Sequence, residues 1–322
     1  MTSNDFPGVM AAVTEAIGHT PLVHLARLGE GLPGIVLAKL ESFSPGHSVK
    51  DRIARRMVED AERSGRLQPG GAIVEVTSGN TGIGLAIVAA VRGYRFYAVL
   101  SEGNSVERQR MLRALGAEVV LVPQVGGHRP GQVTGEDLAL VAQRAEELTA
   151  ELGAFWPDQF GSESNVRAHD EGTGAEIWEQ TGGRVTYWVA SVGTGGTFTG
   201  VARALKSQNA AVRCIAAEPA TAPFIAGGPV TSPSHKIQGT GYVMVPPRWE
   251  PDVCDGFLGV TDEDAAETTR LLAAREGIFG GFSSGANVWA ALQIARQAEP
   301  GQVVVTVCPD TGLKYLSTDL FP

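Results

Sequence analysis

Short apolar runs alternate with helix-period segments along nearly the whole chain, and small polar or glycine-rich turns mark many of the joins. Ile35–Leu40, Ala72–Val76, Phe96–Leu100, Glu118–Val122, Val185–Ala190, Val212–Ala217 and Gln302–Val307 read as strands. Each is short and bounded by turn residues, the pattern of parallel strands buried on both faces. Helical patterns cover Asp51–Arg63, Gly82–Val91, Val106–Leu115, Gly135–Glu151, Glu171–Gln180, Gly196–Lys206, Asp262–Arg275 and Ala286–Ala298. Strand–helix alternation predicts an α/β fold with right-handed crossovers. The 322 residues leave room for two domains, at roughly 100–200 residues each. No internal repeat or low-complexity tract is evident. Pro123–Thr134 reads as a surface loop. Pro219–Pro247 also lacks periodicity, and a loop that long in a compact domain is often functional.

Composition excludes several classes. With 43% hydrophobic and 19% charged residues, a sizeable core can form and global disorder is not expected. A formal charge of −9 argues against a nucleic-acid backbone or an anionic membrane as the main partner. Cys214, Cys254 and Cys308 are far apart, so neither a disulfide framework nor a metal-ligand spacing can be drawn. A reducing, cytoplasmic setting is expected. The opening Met1–Asp5 lacks the basic and apolar regions of a signal peptide. The longest apolar run, Ile83–Val91, stops at Arg92 and is too short to span a bilayer.

Four small-residue loops stand before helical patterns: Thr77–Gly82, Gly193–Thr197, Gly281–Gly285, and Ser44–Ser48 leading into Val49-Lys50-Asp51-Arg52. Such a turn aims backbone N–H groups and the positive end of a helix dipole at one spot, a natural anion site. One such loop alone is equally well an N-cap with turn glycines; several together favour a ligand. The usual nucleotide fingerprints fail. Phe198 stands where a third glycine of G-x-G-x-x-G belongs, and no Gly-Lys pair occurs. A bound phosphate would then belong to neither NAD nor ATP. Gly281-Phe282-Ser283-Ser284-Gly285 matches the serine-hydrolase G-x-S-x-G turn. That chemistry needs a histidine after the serine, and the last histidine here is His235.

Lys50 stands where a helix begins. A solvated surface charge is the ordinary reading of such a lysine. A cation at a helix N-terminus is nevertheless disfavoured by the dipole, which lowers the amine's pKa and frees it to attack a carbonyl. A reactive lysine, a phosphate-cradling loop and small polar loops around a ring together suggest pyridoxal phosphate bound as an imine.

On these residues the chain resembles the cysteine synthase (O-acetylserine sulfhydrylase) and cystathionine β-synthase family. The resemblance runs from Ile17-Gly18-His19-Thr20-Pro21-Leu22 to Pro309–Tyr315. Between them lie Ser48–Arg52, Ser78–Gly82, Gly193–Thr197, Lys236–Gly239 and Ser283–Gly285. It implies the fold type II pyridoxal phosphate architecture, two α/β domains with the cofactor between them. The smaller, mobile domain is expected over 46–152, and the larger over 1–45 plus 153–322. By the same resemblance, Lys50 binds the cofactor as an imine and moves protons, and Asn80 bonds the ring hydroxyl oxygen. Gly193, Thr194, Gly195, Gly196 and Thr197 hold the phosphate, and Ser283 meets the pyridine nitrogen. Thr77, Ser78, Thr81 and Gln159 grip the substrate carboxylate. A homodimer is implied, with a small amino acid and a small nucleophile as the reacting partners.

Three departures bear on the second substrate: Thr240-Gly241-Tyr242 after Gly239, the glycine-rich Gly126–Glu136, and Ser101–Ser105. Neither a haem-binding N-terminal extension nor a C-terminal regulatory domain is expected. The expected activity is β-replacement on an activated L-serine, with O-acetyl-L-serine and sulfide giving L-cysteine and acetate as the default pair. The alternatives are homocysteine or an amine as nucleophile, a non-catalytic regulatory relative, and a serine hydrolase.

Overall fold

A computed structural model describes residues 8–127 and 133–321. Met1–Asp5 and parts of the Pro123–Thr134 and Gly126–Glu136 segments lie outside the described residues. The chain divides into two compact units: Met1–Ile17 with Lys50–Ser164, and Gly18–Val49 with Asn165–Pro322.

The first unit is built on a parallel three-stranded sheet, β3 (Ala72–Val76), β4 (Arg95–Ser101) and β5 (Glu118–Val122), in that order. Its helices are α1 (Lys50–Arg63), α2 (Asn80–Arg92), α3 (Val106–Ala114) and α4 (Gly135–Leu152). Ala72, Val74, Tyr97, Val99 and Val122 bury one sheet face against Val141, Ala145 and Leu148 of α4. The apolar run Ile83–Val91 is accounted for by α2. It packs against α1 so closely that a Cβ on Gly84 would lie 3.0 Å from the Ala54 Cβ and 3.1 Å from the Lys50 carbonyl oxygen. Among the described residues no helix is long and apolar enough to cross a membrane.

The second unit holds a six-stranded sheet in the order β1-β2-β9-β6-β7-β8. Here β1 is Leu22–His24, β2 Ile35–Leu40, β6 Val185–Ser191, β7 Arg213–Pro219, β8 Gly256–Val260 and β9 Val303–Cys308. The β1 edge is antiparallel and every other pairing is parallel. Alternate residues feed two cores. Val189, Ile215, Ala217 and Val304 pack with residues of α9 (Phe282–Gln297), while Trp188, Ala190, Cys214 and Val305 pack with residues of α7 (Gly196–Gln208). With both faces covered, β9 is buried along its whole length, as the uninterrupted apolar reading of these strands requires.

The boundaries depart from the sequence reading in informative places. The helix expected over Glu171–Gln180 begins earlier, as α5 (Glu163–Ala168), a π-helical turn over His169–Gly174 and α6 (Ala175–Gln180). The wider turn hides its periodicity, and its glycines allow α7 to come close: a Cβ on Gly174 would sit 2.4 Å from the Ala204 Cβ. The residues 281–285, read as a loop, are mostly the first turn of α9. Gly285 lies in its interior because a Cβ there would meet the Ala265 carbonyl oxygen of α8 (Asp262–Leu271) at 2.0 Å. Strands β1 and β8 escaped the apolar reading, the first because it has three residues and the second because Gly256 and Gly259 dilute it.

Gly200 offers a direct test of this packing. A Cβ there would lie 2.4 Å from the Val166 carbonyl oxygen and 2.8 Å from the His169 Cβ, backbone and near-backbone atoms with little freedom to move. Gly200→Ala is expected to cost about 1–3 kcal/mol. In urea titration this appears as a lower midpoint at unchanged slope; an unchanged midpoint would contradict the close approach.

Candidate active site

In the first unit, Thr77-Ser78-Gly79 turns the chain from the carboxyl end of β3 into α2, so Asn80 and Thr81 occupy the helix's first turn. Gly79 caps α2 with no side-chain hydrogen bond. The Thr77 Oγ1 closes the turn instead, accepting the Gly82 N–H at 2.9 Å. A Cβ on Gly82 would lie 2.9 Å from the Thr77 Cγ2, so glycine is what lets this threonine fold back. The Thr81 hydroxyl donates to Gln159 Oε1 at 2.7 Å, and Ser78 Oγ accepts from Arg108 Nη1 at 3.4 Å. Thus Thr77, Ser78, Asn80, Thr81 and Gln159 share one end of one unit, although Gln159 is 78 positions from Thr81.

Lys50 is the first residue of α1 and is half-buried. The residues leading to it, Gly46–Val49, belong to the second unit and are strapped there by the chain's last segment. The Val49 N–H donates to the Pro309 carbonyl at 2.8 Å, and the Thr311 N–H to the His47 carbonyl at 3.3 Å. Ser48 bridges Asp310. The Lys314 Nζ donates to the Gly46 carbonyl at 2.9 Å, and the Tyr315 hydroxyl holds Asp310 Oδ2 at 2.9 Å.

The second unit presents the Gly193–Thr197 loop at the carboxyl end of β6. Gly195, with φ of +87°, caps α7 without a side-chain hydrogen bond. Three approaches account for the glycines. A Cβ on Gly193 would strike the Gly239 carbonyl oxygen at 2.1 Å, one on Gly195 would meet the Arg248 carbonyl carbon at 3.2 Å, and one on Gly196 would strike Asn165 Oδ1 at 1.9 Å. Asn165 in turn donates from Nδ2 to Thr194 Oγ1 at 2.9 Å. Thr197 Oγ1 lies 3.1 Å from His169 Nε2. Ser283 sits in the first turn of α9, 6% exposed. Asn287 anchors that helix to the carboxyl ends of two strands: its Oδ1 accepts the Ser191 N–H at 2.7 Å and its Nδ2 donates to the Val307 carbonyl at 2.9 Å.

One contrast ties these loops together. Helices α3, α4 and α8 begin on Ser105, Thr134 and Thr261, whose side chains accept a first-turn N–H. Helices α2, α7 and α9 begin on Gly79, Gly195 and Gly281 with no such cap. At α2, Thr77 takes the Gly82 N–H from outside the helix; where the first residue brings no capping side chain, a helix start is open to a ligand's approach.

The motif reading missed Asn165, Asn287 and the Lys314 strap, and nothing in the periodicity marks them. It also passed over Glu75, for which a signal existed: a carboxylate inside an apolar strand run. Glu75 is 2% exposed, and burial pushes its carboxyl up from 4.5 to about 8, Asp158 adding to the rise against opposing hydrogen bonds from Trp156 and Val76.

That shift has a sign. The folded chain keeps a proton at Glu75 that the unfolded chain releases above about 4.5. Its stabilising contribution is complete below that pH and is lost progressively as pH rises to about 8. Denaturant unfolding across this range should show the wild type losing stability relative to Glu75→Gln as pH increases; parallel pH profiles would refute a retained proton.

The family model described as pyridoxal-phosphate dependent enzyme matches residues 13–310. A cysteine synthase of Staphylococcus aureus is 41% identical over 310 residues, 96% of each chain. Among solved structures, O-ureido-L-serine synthase is 42% identical with a TM-score of 0.88, covering 97% of this chain and 95% of its own. O-acetyl serine sulfhydrylase isoform 3 of Entamoeba histolytica is 37% identical with a TM-score of 0.89, covering 98% and 92%. The chain belongs to the pyridoxal-phosphate-dependent enzyme family, in its fold type II branch.

Proposed function

We propose that this chain performs β-replacement on an O-activated L-serine, with O-acetyl-L-serine and sulfide giving L-cysteine and acetate as its reaction. The observation that carries the reading is the Thr81–Gln159 contact at 2.7 Å, which joins two distant segments beside the loop after β3. Hydroxyls and amides gathered there suit an amino-acid carboxylate, because they fix its direction without a mobile cation.

The donor set fits pyridoxal phosphate on structural grounds. The α7 N-terminus lacks a side-chain cap, and its glycines leave no room for side chains between the loop backbone and its supports. Buried Ser283 stands at the equally uncapped start of α9. When bound, the cofactor supplies an electron sink for departure of the Cα proton and the β-substituent.

The chain's own residues do the rest. Gly193–Thr197 hold the phosphate through backbone N–H groups and hydroxyls. Asn80 holds the ring hydroxyl oxygen. Ser283 meets the pyridine nitrogen with an uncharged hydroxyl, which favours prompt loss of a β-substituent over a long-lived carbanion. Lys50 would hold the cofactor covalently through Nζ, and the free Nζ amine would take the Cα proton. Thr77, Ser78, Thr81 and Gln159 orient the carboxylate so that this proton faces Nζ. A homodimer in the cytoplasm is part of the same proposal.

Tyr242 supports a second reading, in which the nucleophile is homocysteine or an amine. Its ring would lie 3.8 Å from a Cβ on Gly193 and remains 49% exposed. A bulky aromatic group thus stands beside the phosphate loop, able to pack on a nucleophile larger than sulfide.

Purified protein should show an imine absorbance that borohydride removes and Lys50→Ala abolishes. Gly196→Ala, which displaces the Asn165 carboxamide, should weaken cofactor retention by about tenfold or more, the scale of losing one or two charge-assisted hydrogen bonds. Mixing O-acetyl-L-serine with enzyme and then adding sulfide, homocysteine or an amine identifies the nucleophile. Homocysteine turnover without sulfide turnover would replace the first reading with the second.

A further inference from the structure

Glu75 has no part in the roles assigned above, yet it lies at the point where β3 parts from its neighbour. The Phe155 N–H donates to the Ala72 carbonyl at 2.9 Å, and the Val74 N–H to the Phe155 carbonyl at 3.0 Å. The next rung of this parallel ladder would need an N–H from residue 157, which is Pro157 and has none. Pairing stops, and the Val76 N–H turns to Glu75 Oε1 at 2.9 Å. The same oxygen accepts from Trp156 Nε1 at 3.2 Å, and the Gln159 backbone N–H is directed at this carboxyl. Beyond Trp156 the chain enters a tight turn. Asp158 has a φ of +50°, and its Oδ1 accepts the Gly161 N–H at 3.0 Å. Gln159 follows and meets Thr81.

We propose that Glu75 is a positioning residue: its carboxyl ties the Trp156–Gln159 segment to the end of β3 and so holds the Gln159 amide against Thr81. The proposal rests on Gln159 and Thr81 binding the substrate carboxylate, as argued above. The tie requires the uncharged acid. Glu75 Oε2 has no hydrogen-bond partner among the described residues. The charge acting on the group is Asp158, of like sign. Its register partner on β4 is Ala98; its neighbours on the same sheet face, Ile73, Phe96 and Leu100, are apolar, as are Val141, Ala145 and Leu148 of α4 under the opposite face. An ionised Glu75 would therefore place a bare carboxylate oxygen and a second negative charge beside the turn that carries Gln159. Burial keeps the proton on up to about pH 8; above that, the segment is repelled and Gln159 loses its register with Thr81.

Two readouts on the holoenzyme test this. The first is the Trp156 indole N–H resonance, assigned with Trp156→Phe and followed from about pH 6.5 to 9.5, a window bracketing the raised value. It should inflect near 8 in the wild type and stay flat in Glu75→Gln. A wild-type resonance that ignores pH overturns the tie whatever the enzyme's substrate.

The second is affinity for L-alanine, a non-reacting amino acid, read from the cofactor absorbance. Wild-type affinity should fall above pH 8 more steeply than that of Glu75→Gln, whose neutral amide keeps the tie. Glu75→Ala should bind about tenfold more weakly at neutral pH, with kcat for O-acetyl-L-serine changed much less than KM. Equal pH profiles for wild type and Glu75→Gln, or unchanged affinity in a folded Glu75→Ala, overturn the link to Gln159. Should Glu75→Ala fail to fold, the Glu75→Gln profile decides alone. Failure of the function reading shows separately, as a missing imine band in the wild type.

Discussion

Helices that start on glycine, without a capping side chain of their own, are the constraint on which the proposed chemistry depends. An N-terminal turn has donors that its own backbone cannot satisfy. Ser105, Thr134 and Thr261 absorb that demand inside the chain. Gly79, Gly195 and Gly281 cannot, and only at α2 does a neighbouring hydroxyl, that of Thr77, take one of the donors. The glycines do more than omit a cap. At Gly193 and Gly196 the neighbouring atoms lie within about a bond length or two of where a side chain would begin, so in the proposed site the loop backbone itself would be the binding surface. Fixed dipoles of this kind need no reorganisation when charge arrives.

The support behind these donors is polar and buried. Asn165 braces Thr194, Asn287 spans β6 and β9 from within α9, and Thr306 Oγ1 donates to the Val189 carbonyl at 2.7 Å. Deep in the same unit, Lys39 is fully buried and donates to the Thr20 carbonyl at 2.7 Å and to Gln180 at 2.8 Å, while pairing with Glu176 at 2.7 Å. Groups of this kind contribute little net stability. Their cost when mispaired restricts the number of arrangements the core can adopt.

Much of this was legible in the residues. Parallel strands buried on both faces announce themselves as apolar runs, which is why β2, β3, β5, β6 and β9 were read nearly to their ends. The motif order supplied the loops and the lysine. What stayed hidden obeys different physics. The π-helical turn at His169–Gly174 breaks the period by which helices are recognised. The start of α9 hides behind Ser283-Ser284-Gly285, residues with weak helix preference that tertiary packing overrides. Asn165 and Lys314 act through contacts far away in sequence, and no local spacing encodes a partner. Glu75 was visible as an oddity in Ala72–Val76, but its meaning needed the Pro157 that ends the neighbouring ladder.

The strap on Gly46–Val49 carries a consequence for how the protein is made. The Lys314 amine that holds Gly46 lies 268 positions downstream of it. On the ribosome, the segment presenting Lys50 is synthesised well before the residues that brace it. The loop that leads into Lys50 therefore reaches its final form only after those later residues have emerged and folded back onto it.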